Sequence, residues 1–189
     1  MDEKSVLKRY YRRSRESFQW KLDGLSERQL RMPLTPTGTN LLGLFKHVAW
    51  VDVGYLGEVF GRLFEHPVME RIDADPDSDL VAAADEPAEM IKEFARLAWQ
   101  HTDRTIDELP LDARGQVPWW GADGEVTLHR ILVHVISENA QHLGHADILR
   151  ELTDGAVGLG PNNSNLPELS TDQWAAHTAR LRAIAESFS

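Results

Sequence analysis

The sequence predicts an all-α protein, a bundle of four long helices with long crossover connections plus a C-terminal helix. Three observations predict it. Apolar residues recur at helical spacing through four extended segments. No convincing period-2 strand pattern occurs anywhere. Ser, Thr and Gly residues stand where such helices would begin and end. With 189 residues, 42% of them hydrophobic and 26% charged, the chain is sized for a single domain, 1–189, with a substantial core.

The first helix is expected over about 4–22, where Leu7, Tyr11, Phe18 and Leu22 share a face. Its Lys4 to Lys21 stretch also carries Glu16, so it reads as a solvated basic face rather than a nucleic-acid contact. The segment SERQLRMPLTPTGT is a connection closing on Thr39 as N-cap, and a long helix is predicted from Asn40 to about Phe64 despite Gly43, Gly54, Gly57 and Gly61. HPVMERIDADPDSDL follows as an acidic connection. A third helix starts near Pro87, which suits a first turn, and carries Met90, Ile91, Phe94, Leu97 and Ala98 toward Leu109. PLDARGQVPWWGADGEV is punctuated by Pro and Gly and ends in Thr127 as N-cap; its Trp119 and Trp120 read as a plug for the end of the bundle, with the lining of a pocket mouth as the alternative. The fourth helix covers about 128–152 and stops at Asp154-Gly155, and a last one, about 171–187, follows Ser170 after a Gly-, Pro- and Asn-rich loop.

Composition excludes several function classes. There are no cysteines, so neither disulfides, Cys ligation nor a thiol nucleophile is available from the chain itself. The net charge of −10 disfavours nucleic acid as a partner. No apolar run reaches the ~18 residues of a membrane span, and the charged N-terminus lacks the apolar stretch of a secretory signal, so the expected location is cytoplasmic. Asp73, Asp75, Asp77 and Asp79 alternate like the start of a calcium loop. Pro76 interrupts them, Ser78 stands where glycine is required, and Ala84 replaces the closing glutamate. The glycines 155, 158 and 160 follow a helix rather than a strand and make no dinucleotide fingerprint.

The chemistry is concentrated where apolar stripes fail. In the fourth helix the stripe runs Leu128, Ile131, Leu132 and Val135, then meets Glu138, His142 and His145 or Ala146 before closing on Leu149. In the second it runs Leu44, His47, Val51, Tyr55. A buried ionisable side chain without a partner costs several kcal/mol or more, so such groups are usually paired or metal-bound. Two imidazoles and one carboxylate on rigid helices suit zinc, iron, nickel or manganese, with coordination positions left open. His134 and His145 lie one turn to either side, as alternate ligands or as groups behind the ligands; His134 also reads as a core histidine bonded to Glu138. Spacing alone does not choose among them. His66, His101, His129 and His177 read as surface or boundary histidines.

The stretches PTGTNLLGLFKHVAWVDVGYL and TLHRILVHVISENAQHLGHADILRELTDG resemble the DinB/YfiT-like superfamily, in its mini-circle protein branch, over about 37–155. The resemblance implies a DinB-like four-helix bundle and a divalent metal, zinc or nickel, held by three residues. These are a second-helix histidine, matching His47, and a His-x-x-x-His or Glu-x-x-x-His pair in the fourth helix, matching Glu138 and His142. The chain departs from the commonest pattern in having Glu138 for the first histidine and His145 where relatives carry glutamine. Relatives use low-molecular-weight thiols such as mycothiol or bacillithiol. The implied function is therefore a metal-dependent S-transferase or isomerase joining a small thiol to a small electrophile, for which the thiol would come from outside this cysteine-free chain. Two alternatives stand beside it: a non-catalytic metal-binding or stress-related interaction bundle, and a metal-dependent hydrolase. A homodimer is compatible with the N-terminal helix and the 156–170 loop.

Overall fold

The fold follows from four long helices, three of which begin at a short polar side chain that caps the first turn. In a computed structural model, which describes residues 1–188 and at Pro76 and Asp77 the backbone alone, the first is α1, Glu3–Trp20, capped by Asp2. A short α2, Glu27–Arg31, begins with a reciprocal Ser26/Gln29 capping box. Helix α3, Leu41–Leu56, starts at Asn40, whose side chain accepts from the Gly43 N–H at 2.8 Å. A 3-10 turn at Glu58–Phe60, the helix α4 at Pro67–Ala74 and a second 3-10 turn at Pro76–Leu80 lead to α5, Ala88–Glu108. A two-stranded antiparallel hairpin, β1 Arg114–Gln116 and β2 Glu125–Thr127, pairs Gly115 with Val126 and encloses a 3-10 segment at Pro118–Asp123. Helix α6, Leu128–Asp154, runs from a Thr127 cap to the left-handed Gly155.

Packing joins α3 to α5 and α6, and α1 to α6, so the all-α bundle read from the sequence is what forms. Residues Met1–Ala156 make one compact unit. From Val157 onward a second unit holds a Gly160–Asn163 bridge and α7, Thr171–Glu186, capped by Ser170 and Gln173. Among the described residues no helix is long and apolar enough to cross a membrane.

Several expected boundaries move. The cap of α3 is Asn40 rather than Thr39. The helix stops at Leu56 rather than near Phe64 because the chain folds back at Gly57, where a Cβ would stand 2.5 Å from the Val53 carbonyl oxygen and 2.8 Å from that of Arg62. Pro87 is the cap of α5 rather than its first helical residue. Helices α2 and α4 lie inside segments expected to be plain connections, and the 114–127 hairpin was not expected at all.

The interior has two apolar clusters. One gathers Phe18, Phe45, Ala49, Ile91, Phe94, Ala146 and Leu149; the other gathers Tyr11, Leu56, Ile106, Leu128, Ile131, Leu132 and Val135. On α6, apolar burial therefore ends at Val135 and resumes at Ala146. The most buried residue between them is Asn139, 1% exposed. Its side chain donates to Asp52 of α3 at 3.4 Å, and Asp52 also receives the indole N–H of Trp99 of α5 at 2.9 Å. Beside them Arg15 of α1 covers the Tyr11 ring and donates to Asp103 at 2.7 Å. This polar belt ties all four helices together at mid-height.

Candidate functional site

The break in the α6 stripe faces the middle of α3, and there the two helices bring three of the expected residues together. The His47 and His142 rings lie with centroids 4.7 Å apart, nearly edge to face. His142 Nε2 is 3.5 Å from a Glu138 carboxylate oxygen, one helical turn back. The histidine side chains are 16% and 17% exposed, Glu138 35%. Glu138 is thus on the shoulder of α6, not on its buried line; Asn139 takes that line. One residue is 100° of helix, and that phase difference separates the solvent-reachable carboxylate from the fully buried amide.

A fourth group was missed by sequence reasoning. Asp79, in the acidic connection, accepts from His47 Nδ1 at 2.7 Å and is itself only 15% exposed. A carboxylate has no proton to give, so Nδ1 carries the hydrogen, and in the neutral ring the lone pair is therefore on Nε2. The placement of Asp79 has local causes. Gly43 lets the connection press on α3: a Cβ there would sit 1.9 Å from the Leu80 carbonyl oxygen. Next to His47, Lys46 is fully buried and binds both the Val81 carbonyl and Glu86, each at 2.9 Å. Arg31 of α2 clamps the same stretch through the carbonyls of Ala82, Ala83 and Glu86. Asp79 Oδ1 also accepts from the Leu80 N–H at 2.9 Å, which fixes the carboxylate. The side chain of Asp77, in the same acidic run, lies outside the described residues.

The two flanking histidines part company. His145 is exposed; its ring lies 5.8 Å from that of His142, and both line a shallow cavity with Thr37, Asn40 and Leu44. His134 packs between Tyr55 and Trp120, with centroids at 4.6 and 4.9 Å, and feels Glu138 through its charge. Both indole N–H groups of Trp119 and Trp120 donate to the Tyr55 hydroxyl at 3.2 Å. Trp120 closes the bundle end as expected, whereas Trp119 is 52% exposed and lines a cavity instead. Of the remaining histidines, His66 caps α4 and His101 Nε2 contacts the Arg62 carbonyl.

Burial holds the His142 pKa below the ordinary histidine value, and the neighbouring His47 adds to this against the opposing pull of Glu138. His134 is lowered too, chiefly by burial. Both shifts favour the neutral imidazole, which is the form that ligates metals. Among the described residues no three His, Asp or Glu side chains already stand in a ligating arrangement. The donor set nonetheless suits a divalent ion. His142 Nδ1 is buried without a hydrogen-bond partner, the His47 ring is oriented by Asp79, and one carboxylate stands beside them.

Comparison with known proteins fits this picture. Among curated proteins none matches the chain. Among solved structures it is similar to a conserved protein from Enterococcus faecalis, at 17% identity and a TM-score of 0.57, over 82% of this chain and 99% of that one. At that identity the likeness is one of fold. The sequence profile described as Mycothiol-S-transferase matches residues 6–155. That stretch begins inside α1, ends at the glycine capping α6, and takes in His47, Glu138 and His142. The chain belongs to the mycothiol S-transferase family of DinB-like bundles.

Proposed function

We propose that His47, Glu138 and His142 bind a divalent metal, zinc or nickel, and that the protein uses a low-molecular-weight thiol, mycothiol or a close analogue, as an S-transferase or isomerase acting on small electrophiles in the cytoplasm. The observation that carries the reading is the meeting of two imidazoles and a carboxylate at the one break in the α6 stripe, with His142 Nδ1 buried and unpartnered. When bound, a metal with an open coordination position lowers the pKa of an incoming thiol and holds the thiolate for attack.

The chain's own residues have separable tasks in this reading. Asp79 keeps His47 in the tautomer whose Nε2 is free. Burial keeps His142 neutral. His134 and His145 flank the ligands, placed to accept or return a proton near the incoming thiol. The aromatic residues on the Tyr55 side keep the surroundings apolar, which strengthens charge interactions at the metal.

Metal content of the tag-free protein, measured by mass spectrometry beside the Glu138→Ala/His142→Ala variant, tests the proposal. About one equivalent of metal, lost in the variant, is the expected result. The same protein should then consume a model electrophile with a small thiol, and His47→Ala should lower that rate by about a hundredfold. No metal in either protein after dialysis against zinc and nickel would overturn the reading and leave a non-catalytic bundle.

A further inference from the structure

Beside the proposed metal ligands lies a mainly apolar cavity of about 400 Å3 with four aromatic side chains in its walls. Trp50, Tyr55, Phe64 and Trp119 supply the rings, and Val51, Leu63 and Met69 are among the aliphatic side chains beside them. On α3, residues 47, 50, 51 and 54 fall on one face, so the cavity opens one turn along from His47. The Trp50 ring touches the His47 ring at a centroid distance of 6.1 Å. Tyr55, on the other side, touches His134, one turn before Glu138. The cavity therefore meets a proposed ligand at Trp50 and the flanking His134 at Tyr55.

Its chemistry is selective. The volume is that of a small-ligand pocket and admits a two-ring molecule. Ring walls offer stacked and edge contacts to another aromatic body. Among the described residues the only charged ones in the lining are Glu58 and Asp73, both carboxylates and both exposed. An anion entering would meet two like charges and no compensating lysine or arginine.

We propose that this cavity binds the electrophilic substrate, and that the substrate is an aromatic molecule without negative charge. The assignment of the occupant as the electrophile rests on the thiol-transfer reading above; the binding of aromatic molecules does not. Gly54 offers a clean way to test it. A Cβ there would meet only Trp119 Cη2, at 3.8 Å, an ordinary contact. A leucine at this position would grow into the cavity while improving the helix propensity of α3.

The experiment is a fluorescence titration of the full chain, without added metal or thiol, with N-phenyl-1-naphthylamine, which is neutral, and with 8-anilino-1-naphthalenesulfonate, the same skeleton bearing a sulfonate. The neutral probe should saturate a single site, and the sulfonate should bind about tenfold more weakly or worse. Gly54→Leu should weaken the neutral probe by about tenfold or more, with a thermal midpoint equal to or above the wild type. Glu58→Gln/Asp73→Asn should narrow the gap between the two probes. The Glu138→Ala/His142→Ala variant should lose metal yet keep the neutral probe, so failure of the metal reading and failure of the cavity reading remain distinguishable. Equal binding of both probes, no binding of the neutral one, or neutral-probe binding unchanged in a folded Gly54→Leu protein would each overturn the proposal.

Discussion

His47 has one ring nitrogen already committed, because its Nδ1–H donates to the Asp79 carboxylate at 2.7 Å. Carboxylates in this position orient a ligating histidine and raise its basicity, and their loss costs about 10–100-fold in metal affinity. Asp79→Ala is therefore expected to weaken metal binding by about that factor, read by competition with a chromophoric chelator, while leaving the metal-free thermal midpoint nearly unchanged. A large drop in stability with unaltered affinity would make Asp79 a structural residue instead. This partnership was not legible in the sequence: the two residues are 32 positions apart, and only folding brings the acidic run onto α3. Glu138 and His142 were legible, since four residues on one helix are neighbours whatever the tertiary structure. The inward phase was read one residue off, because an ionisable Glu138 drew attention from the amide of Asn139, which is the buried member.

At the scale of elements, the long helices announced themselves through side chains that act locally. Thr127 and Ser170 were readable as caps, as was the glycine after Asp154, because a cap works within three or four residues. The end of α3 was not readable, since the fold-back at Gly57 depends on the approach of the Arg62 carbonyl. Helices α2 and α4 are five and eight residues long, too short to show a hydrophobic period above their polar surroundings. The contact between α3 and the 76–80 turn carries the most local strain risk. Gly43→Ala would drive a methyl into the Leu80 carbonyl, 1.9 Å from its ideal position. The cost should be about 1–3 kcal/mol, visible as a lower urea midpoint. The Asp79 contact should loosen with it, so the variant should bind metal more weakly as well. A gain in stability of the kind glycine-to-alanine changes usually bring to helices would contradict the close approach.

Across the whole molecule, the belt that joins the four helices centres on Asp52. Burial pushes its pKa up to about 6, against the opposing effects of Arg15 and of hydrogen bonds from Tyr11, Trp99 and Asn139. Tyr11, which faces it, is itself raised well above the ordinary tyrosine value by burial and stays neutral. A carboxyl whose folded pKa exceeds its ordinary 3.8 stabilises the fold while protonated. That contribution is full below pH 3.8 and is lost as pH rises through about 6. Asp52→Asn has no such dependence. Its stability relative to the wild type should therefore rise by roughly 2 kcal/mol between pH 4 and pH 7.5, measured by urea unfolding at the two pH values; a constant difference would mean that the Asp52 pKa is not raised by folding. The same belt sets the tempo of the site. Amide hydrogens of α6 around Glu138 and His142 sit beside a buried network shared by four helices, so they should exchange with solvent only when the whole unit unfolds. Those of Leu80 and Val81, held by a turn and a few side chains, should exchange through local openings. Hydrogen exchange would then divide the surroundings of the proposed ligands into a slowly exchanging wall on α6 and a faster one in the turn that carries Asp79.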